Sequence, residues 1–280
     1  MSLVRHLWQL YEPLHAVTYF APQARIAFEG AGLRGFWRGY FAGRAAPLGA
    51  VAAAPVTALF FSFAPAMVAR ALPEVWQRVS PEQALAARLH GAVDALRAVL
   101  PPEPRRWAEA AELLEAAAQA AVTDGRALGA ANAALPQPTD VLARLWHAAT
   151  VLREHRGDGH IAALVAAEIT GCQALVLHDA LHGDREQLQP NRGWTDSEWD
   201  AEARALAQRG WLDHDGRPTA TGQAAHRAVE SRTDQLAAQP WTTLSSADQT
   251  RLADLLTPLA DAADAVVPYP NPMGVPRAVH

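Results

Sequence analysis

Apolar residues recur at three- and four-residue spacings along most of the chain, the period of helices that bury one face. Four Ser/Thr-x-x-Glu/Gln boxes punctuate that pattern, at Ser80 (SPEQ), Thr170 (TGCQ), Thr195 (TDSE) and Ser246 (SADQ). In each, the hydroxyl takes an amide proton of the first turn and the Glu or Gln side chain returns to the cap. The pattern predicts a mainly α protein. PPEP at 101–104 and LPQP at 135–138 read as linkers, with one amphipathic helix from Trp107 to about Ala121 between them. These breaks suggest an N-terminal half (1–100), a linking segment (101–138) and a C-terminal half (139–280).

Within the C-terminal half, a helix from Ile161 to about Ala167, a turn at 168–170 and a second helix from the Thr170 box to His182 have helix-turn-helix spacing. A third helix runs from Trp199 to Gln208. Trp211, Leu212 and Asp213 then read as a short strand, Asp215-Gly216 as its turn, and 217–219 as the return of a β-hairpin wing. Thr221 is the expected cap of a long helix to Ala237. Shifting the chain by 116 residues lays 43–64 over 159–180, with identities at Gly43/Gly159, Ala46/Ala162, Leu48/Leu164, Ala50/Ala166, Ala58/Ala174, Leu59/Leu175 and Ala64/Ala180. The expected fold is therefore two winged-helix-like halves, mainly α with short β-hairpin wings, related by a possible internal duplication.

The run GWLDHDGRPTATG at 210–222 resembles the wing of MarR-type winged-helix proteins. Four further segments extend a second likeness over nearly the whole chain: AVTYFAP at 16–22, YFAGRAAPLG at 40–49, REHRGDGH at 153–160 and ESRTD at 230–234. Through them the chain resembles an actinobacterial group of helix-turn-helix-like proteins. That resemblance implies a winged-helix fold and names no activity.

Charge and composition narrow the chemistry. All 24 basic residues are arginine, so no lysine is available for a Schiff base, a pyridoxal-phosphate anchor or a Walker-type phosphate loop. A single cysteine, Cys172, excludes internal disulfides and Cys-rich metal sites. No secretory signal is visible at the amino terminus, which suggests a cytoplasmic protein. The uncharged stretch between Arg44 and Arg70 is divided by Pro47, Pro55 and Pro65 into pieces too short to span a bilayer, so a buried core segment is expected and no membrane partner. Net charge is −5, which disfavours general attraction to DNA.

Three functional readings follow. The first is a small-molecule-binding protein on a winged-helix scaffold, with its ligand between the halves and Tyr19, Tyr40, Arg44, Asp158, His160 and His178 as its polar contacts. Arg44 matches His160 under the 116-residue offset. Gly157-Asp158-Gly159 suits a tight turn in which Asp158 caps the following helix. The second is a ligand-responsive transcription regulator, possible as a homodimer. Its second helix, GCQALVLHDALH, offers only Gln173 and histidines to bases, and Thr195 to Asp234 carries eight acids against five arginines. Its DNA contacts would have to come from Arg34, Arg38 and Arg44, or from a dimer surface. The third is a metal-dependent enzyme in which His178 and His182, at i and i+4, hold a divalent cation, with Asp179 as general base and Asp158 or His160 as a further ligand.

Overall fold

The computed structural model describes residues 2–274 and consists of fourteen α-helices and three short 3-10 turns. Its spine is α9 (Val141–Ala166), buried on almost every side up to His160, with Ala162, Val165 and Ala166 exposed near its end. Asp140 starts it by accepting the Leu142 and Ala143 amide protons through its side chain. Around it lie α1 (Leu3–Phe20), α6 (Pro81–Val99), α7 (Pro104–Gln119), α8 (Ala127–Ala133) and α13 (Ala220–Leu236). The last long helix, α14 (Ser246–Asp264), packs on α1 and α7. Leu7, Leu14, Leu96, Leu114, Trp146, Leu256 and Leu259 from five of these helices share one apolar core.

A second core is aromatic. α2 (Pro22–Gly30), α3 (Phe36–Ala45), α4 (Ala53–Phe60) and α5 (Pro65–Ala69) enclose Phe28, Tyr40, Phe41, Phe60 and Phe63. The uncharged stretch expected to be core is core only in part: Val56, Phe60, Phe63, Ala64, Met67 and Val68 are buried, while Ala50, Ala52, Ala54, Pro55, Ala58, Pro65 and Ala66 are exposed. Its prolines break it as anticipated, Pro65 falling in the first turn of α5. No single helix among the described residues is long and apolar enough to cross a membrane. A third, smaller core joins α10 (Gly171–His182), α11 (Arg185–Arg192) and α12 (Asp196–Gln208) through Cys172, Leu177, Leu188, Trp199 and Leu206.

Capping chemistry behaves largely as read. The boxes at Ser80, Thr170 and Thr195 are all formed. The fourth is displaced by one residue: Ser245, rather than Ser246, accepts the Asp248 amide proton. Thr219, rather than Thr221, caps α13.

The wings are the main correction. No strand or sheet occurs among the described residues, and the expected hairpin at 211–219 is reduced to one isolated antiparallel bridge, Leu212 to Pro218. Two local causes are visible. Pro218 has no N–H to extend a ladder. The Asp213 carboxylate also takes the Asp215 and Arg217 amide protons, at 2.9 and 2.8 Å, closing the turn on itself. With no wing present, the winged-helix and MarR-type expectations fall. The two segments aligned by the 116-residue offset are bent helix pairs, Phe36–Leu48 with Ala53–Phe60 at 96° and Val141–Ala166 with Gly171–His182 at 95°. Neither is a winged-helix half.

The GDG step is also corrected. Gly157, Asp158 and Gly159 lie inside α9 and form no turn. Gly159 is small for a packing reason: a Cβ there would stand 2.6 Å from an Arg126 guanidinium nitrogen and 3.3 Å from Leu236 Cβ. At Gly157 the nearest atom to an added Cβ would be Glu154 Oε2 of the same helix, 3.9 Å away, so that position has room.

Candidate functional site

The turn at 167–170 sends the chain from α9 into α10 at nearly a right angle, with Glu168 in the left-handed region at φ 56°. Gly171 opens α10 directly against the Phe61–Ser62 backbone at the end of α4. The two bent helix pairs therefore meet, and between them lies a cavity of about 340 Å³. Trp8 and Glu12 of α1, Tyr40 and Arg44 of α3, and Leu59 to Phe63 line it on one side. Arg153, Arg156, His160 and Leu164 of α9, Leu175 and His178 of α10, and Leu188 and Arg192 of α11 complete most of the wall.

Four arginines on this wall have different partners. Arg44 meets Glu154 through two parallel bonds of 3.0 Å, donates to the Tyr40 hydroxyl at 3.1 Å, and lies 4.2 Å above the Phe60 ring. Arg153 donates to the same Glu154 carboxylate at 2.9 Å and sits 3.5 Å from Glu12. Glu154 is 1 % exposed. Burial alone would raise its pKa, but Arg153 and Arg44 hold it well below the usual carboxylate range. Arg156 pairs with Asp234 at 2.9 Å and covers the Trp8 ring.

Arg192 differs. It is 5 % exposed and forms no ion pair among the described residues; Asp184 attracts it only through space. Its two terminal nitrogens donate to the Pro272 and Met273 carbonyls at 2.6 and 2.8 Å, and Nε has no hydrogen-bond partner. Phe63 stacks 4.5 Å from it. Burial pushes its pKa down to about 10, leaving it cationic at neutral pH.

Of the six ligand contacts expected from sequence, Tyr40, Arg44, His160 and His178 line this one cavity. His160 Nδ1 lies 2.9 Å from Thr233 Oγ1, whose own proton goes to the Val229 carbonyl, so His160 donates from Nδ1 and keeps Nε2 as an acceptor. Burial lowers its pKa and favours that neutral form. Tyr19 lies apart, in an adjoining space of about 210 Å³ between α1, α2 and α3, with its hydroxyl 2.8 Å from His15 Nε2.

Asp158 is elsewhere too. It accepts the Gly129 amide proton at 2.8 Å and so caps α8 from a neighbouring helix. Burial raises its carboxyl to about 6. The folded state thus favours the protonated form, and stability is lost as pH rises from about 4 to about 6. Asp158→Asn, which keeps an acceptor oxygen, is expected to gain about 2–3 kcal/mol over the parent at pH 8 and little at pH 4. Chemical unfolding at the two pH values checks this; an equal effect at both would reject it.

The histidine cluster is larger than the sequence suggested. His178 and His182 lie on one face with ring centroids 4.4 Å apart, and His226 of α13 joins them, each offering a nitrogen within 4.8 Å of the others. Asp179 is engaged differently: its carboxylate accepts the Arg185 amide proton at the start of α11. Cys172 is buried, and burial pushes its thiol up to about 12, which suits a packing residue.

Sequence reading missed Arg153, Arg156, Arg192, Glu154 and His226. The first, second and fourth sit on a helix buried all round, which gives no amphipathic stripe to mark an inward charge. His226 stands alone in its own segment and joins the others only through packing.

Fold and site define an all-helical protein in which two bent helix pairs enclose an arginine-rich cavity. The chain matches the helix-turn-helix family over residues 4–270 and belongs to it. Comparison with curated proteins and with solved structures found no match.

Proposed function

We propose that the protein binds a small monoanionic molecule with an apolar body in the cavity between α3–α4 and α9–α11. The observation that carries this reading is Arg192, a buried guanidinium with no acidic partner among the described residues. The other wall arginines are paired directly with Glu154, Glu12 and Asp234, whereas Arg192 has only the longer-range attraction of Asp184. Arg192 has five N–H groups, and neutral carbonyls occupy two donors. A carboxylate would complete it, while Phe60, Phe63, Leu164, Leu175 and Leu188 would take the apolar part. The volume lies at the lower end of the roughly 300–1,000 Å³ common for such sites.

The test is a thermal-shift and calorimetric series of arylalkanoic acids against their neutral amides. Acids should bind and amides should not, and Arg192→Met should weaken the acids about tenfold or more, the loss of a charge-assisted hydrogen bond. Equal binding of acids and amides, or unchanged binding in Arg192→Met, counts against the reading.

A second reading, a ligand-responsive DNA-binding regulator, is favoured by family membership. Arg34 and Arg38 are exposed and would be its phosphate contacts, while Arg44 is committed to Glu154. DNA affinity that falls steeply with added salt would support it; no retention on DNA even at low salt would remove it.

A further inference from the structure

We propose that His178, His182 and His226 form a binding site for a divalent transition metal of the zinc class. Three imidazoles with one open position is a donor set that such an ion takes readily, and no cysteine or lysine competes. Two of the three come from one face of α10, at the i, i+4 spacing that places their rings side by side. The third comes from α13, which packs against α10. His226 converts a pair of histidines, which alone holds zinc poorly, into the three-ligand set of an open site.

The surroundings fit the same ion. His178 Nε2 lies 3.0 Å from Asp184 Oδ2, an arrangement that orients the ring and leaves Nδ1 for a cation. The other Asp184 oxygen is buried with no hydrogen-bond partner. His182 is exposed, giving the ion an entry path. His178 also lines the 340 Å³ cavity, so the site stands at the cavity's rim. The histidine cluster stands independently of Arg192 and of any anion bound there.

The experiment uses the full chain without a histidine tag, stripped with chelator and titrated with Zn²⁺ and Co²⁺ by calorimetry and visible absorption. About one equivalent should bind, and Co²⁺ should give the intense visible bands of a four- or five-coordinate ion. His182→Ala, at an exposed position, and His226→Ala should each lower affinity at least about tenfold, and Asp184→Asn about 10–100-fold as a supporting ligand does. His214→Ala, in the separate exposed group Asp213-His214-Asp215, should change nothing. Circular dichroism of each variant checks that the helices persist. Less than about 0.2 equivalents in the parent, or affinity unchanged in both His182→Ala and His226→Ala, overturns the proposal. Loss confined to His214→Ala moves the binding to the other group and overturns it equally.

Discussion

Glu154→Ala is expected to destabilise the protein by about 3–5 kcal/mol, because it leaves two buried guanidinium groups without their shared counter-charge. Arg44 is 8 % exposed and spends two donors on Glu154; Arg153 spends another. Neither has a second carboxylate at bonding distance except Glu12, 3.5 Å from Arg153. In a chain of this size the loss corresponds to a fall of roughly 10 °C in melting temperature. The pH dependence has a definite sign. Because the folded state holds the Glu154 pKa below its usual value, the stabilisation is fully present above the usual carboxylate range and is lost as pH falls toward the folded value. Glu154→Gln should therefore flatten the acid limb of the stability curve between about pH 5 and 3. Calorimetric melting of parent and variant across that range checks both statements. A parent-like melting temperature and acid slope in these variants would show that the arginines find other partners.

Gly171→Ala should also be severe, at about 3 kcal/mol or more, although alanine is the better helix former. A methyl at Gly171 would overlap the Phe61 carbonyl oxygen and stand 2.8 Å from its carbonyl carbon and 3.2 Å from Ser62 Cα. All are backbone atoms, so no side chain can turn away to relieve the contact. Phe61 already sits at φ 50°, a costly conformation for a residue with a Cβ, and it has little freedom to yield. The control is Gly157→Ala in α9, where the space is open; it should be neutral or gain up to about 1 kcal/mol. Urea unfolding of both variants tests the contrast. If the two behave alike, contact between the helix pairs does not require glycine.

Elements with local signals were legible in the sequence. Ser80, Thr170 and Thr195 announce helix starts through side chains three residues apart, and the structure forms those caps. What depended on tertiary packing was not. α9 extends twenty residues earlier than Ile161 suggested, because a helix buried on all faces shows no periodic polar side. Gly157 and Gly159 look like turn residues, yet Gly159 answers the approach of Arg126 and Leu236. The wing failed on Pro218, whose missing amide outweighs a favourable Asp-Gly turn. In the site, Tyr40, Arg44, His160 and His178 could be picked from residue type and neighbourhood. Arg192 and His226 acquire their meaning only from what folds beside them.

The packing of α1 against α14 and α9 has a consequence for how the chain is made. Arg5 is tied to Glu230 and Asp234, so α1 finds its partners 225 and 229 residues further along the chain. Until then its Leu7, Leu10 and Leu14 face has no complete cover. Assembly is therefore a chain-wide event: local helices can form early, but the cavity between them closes only when α1 has met α13 and α14.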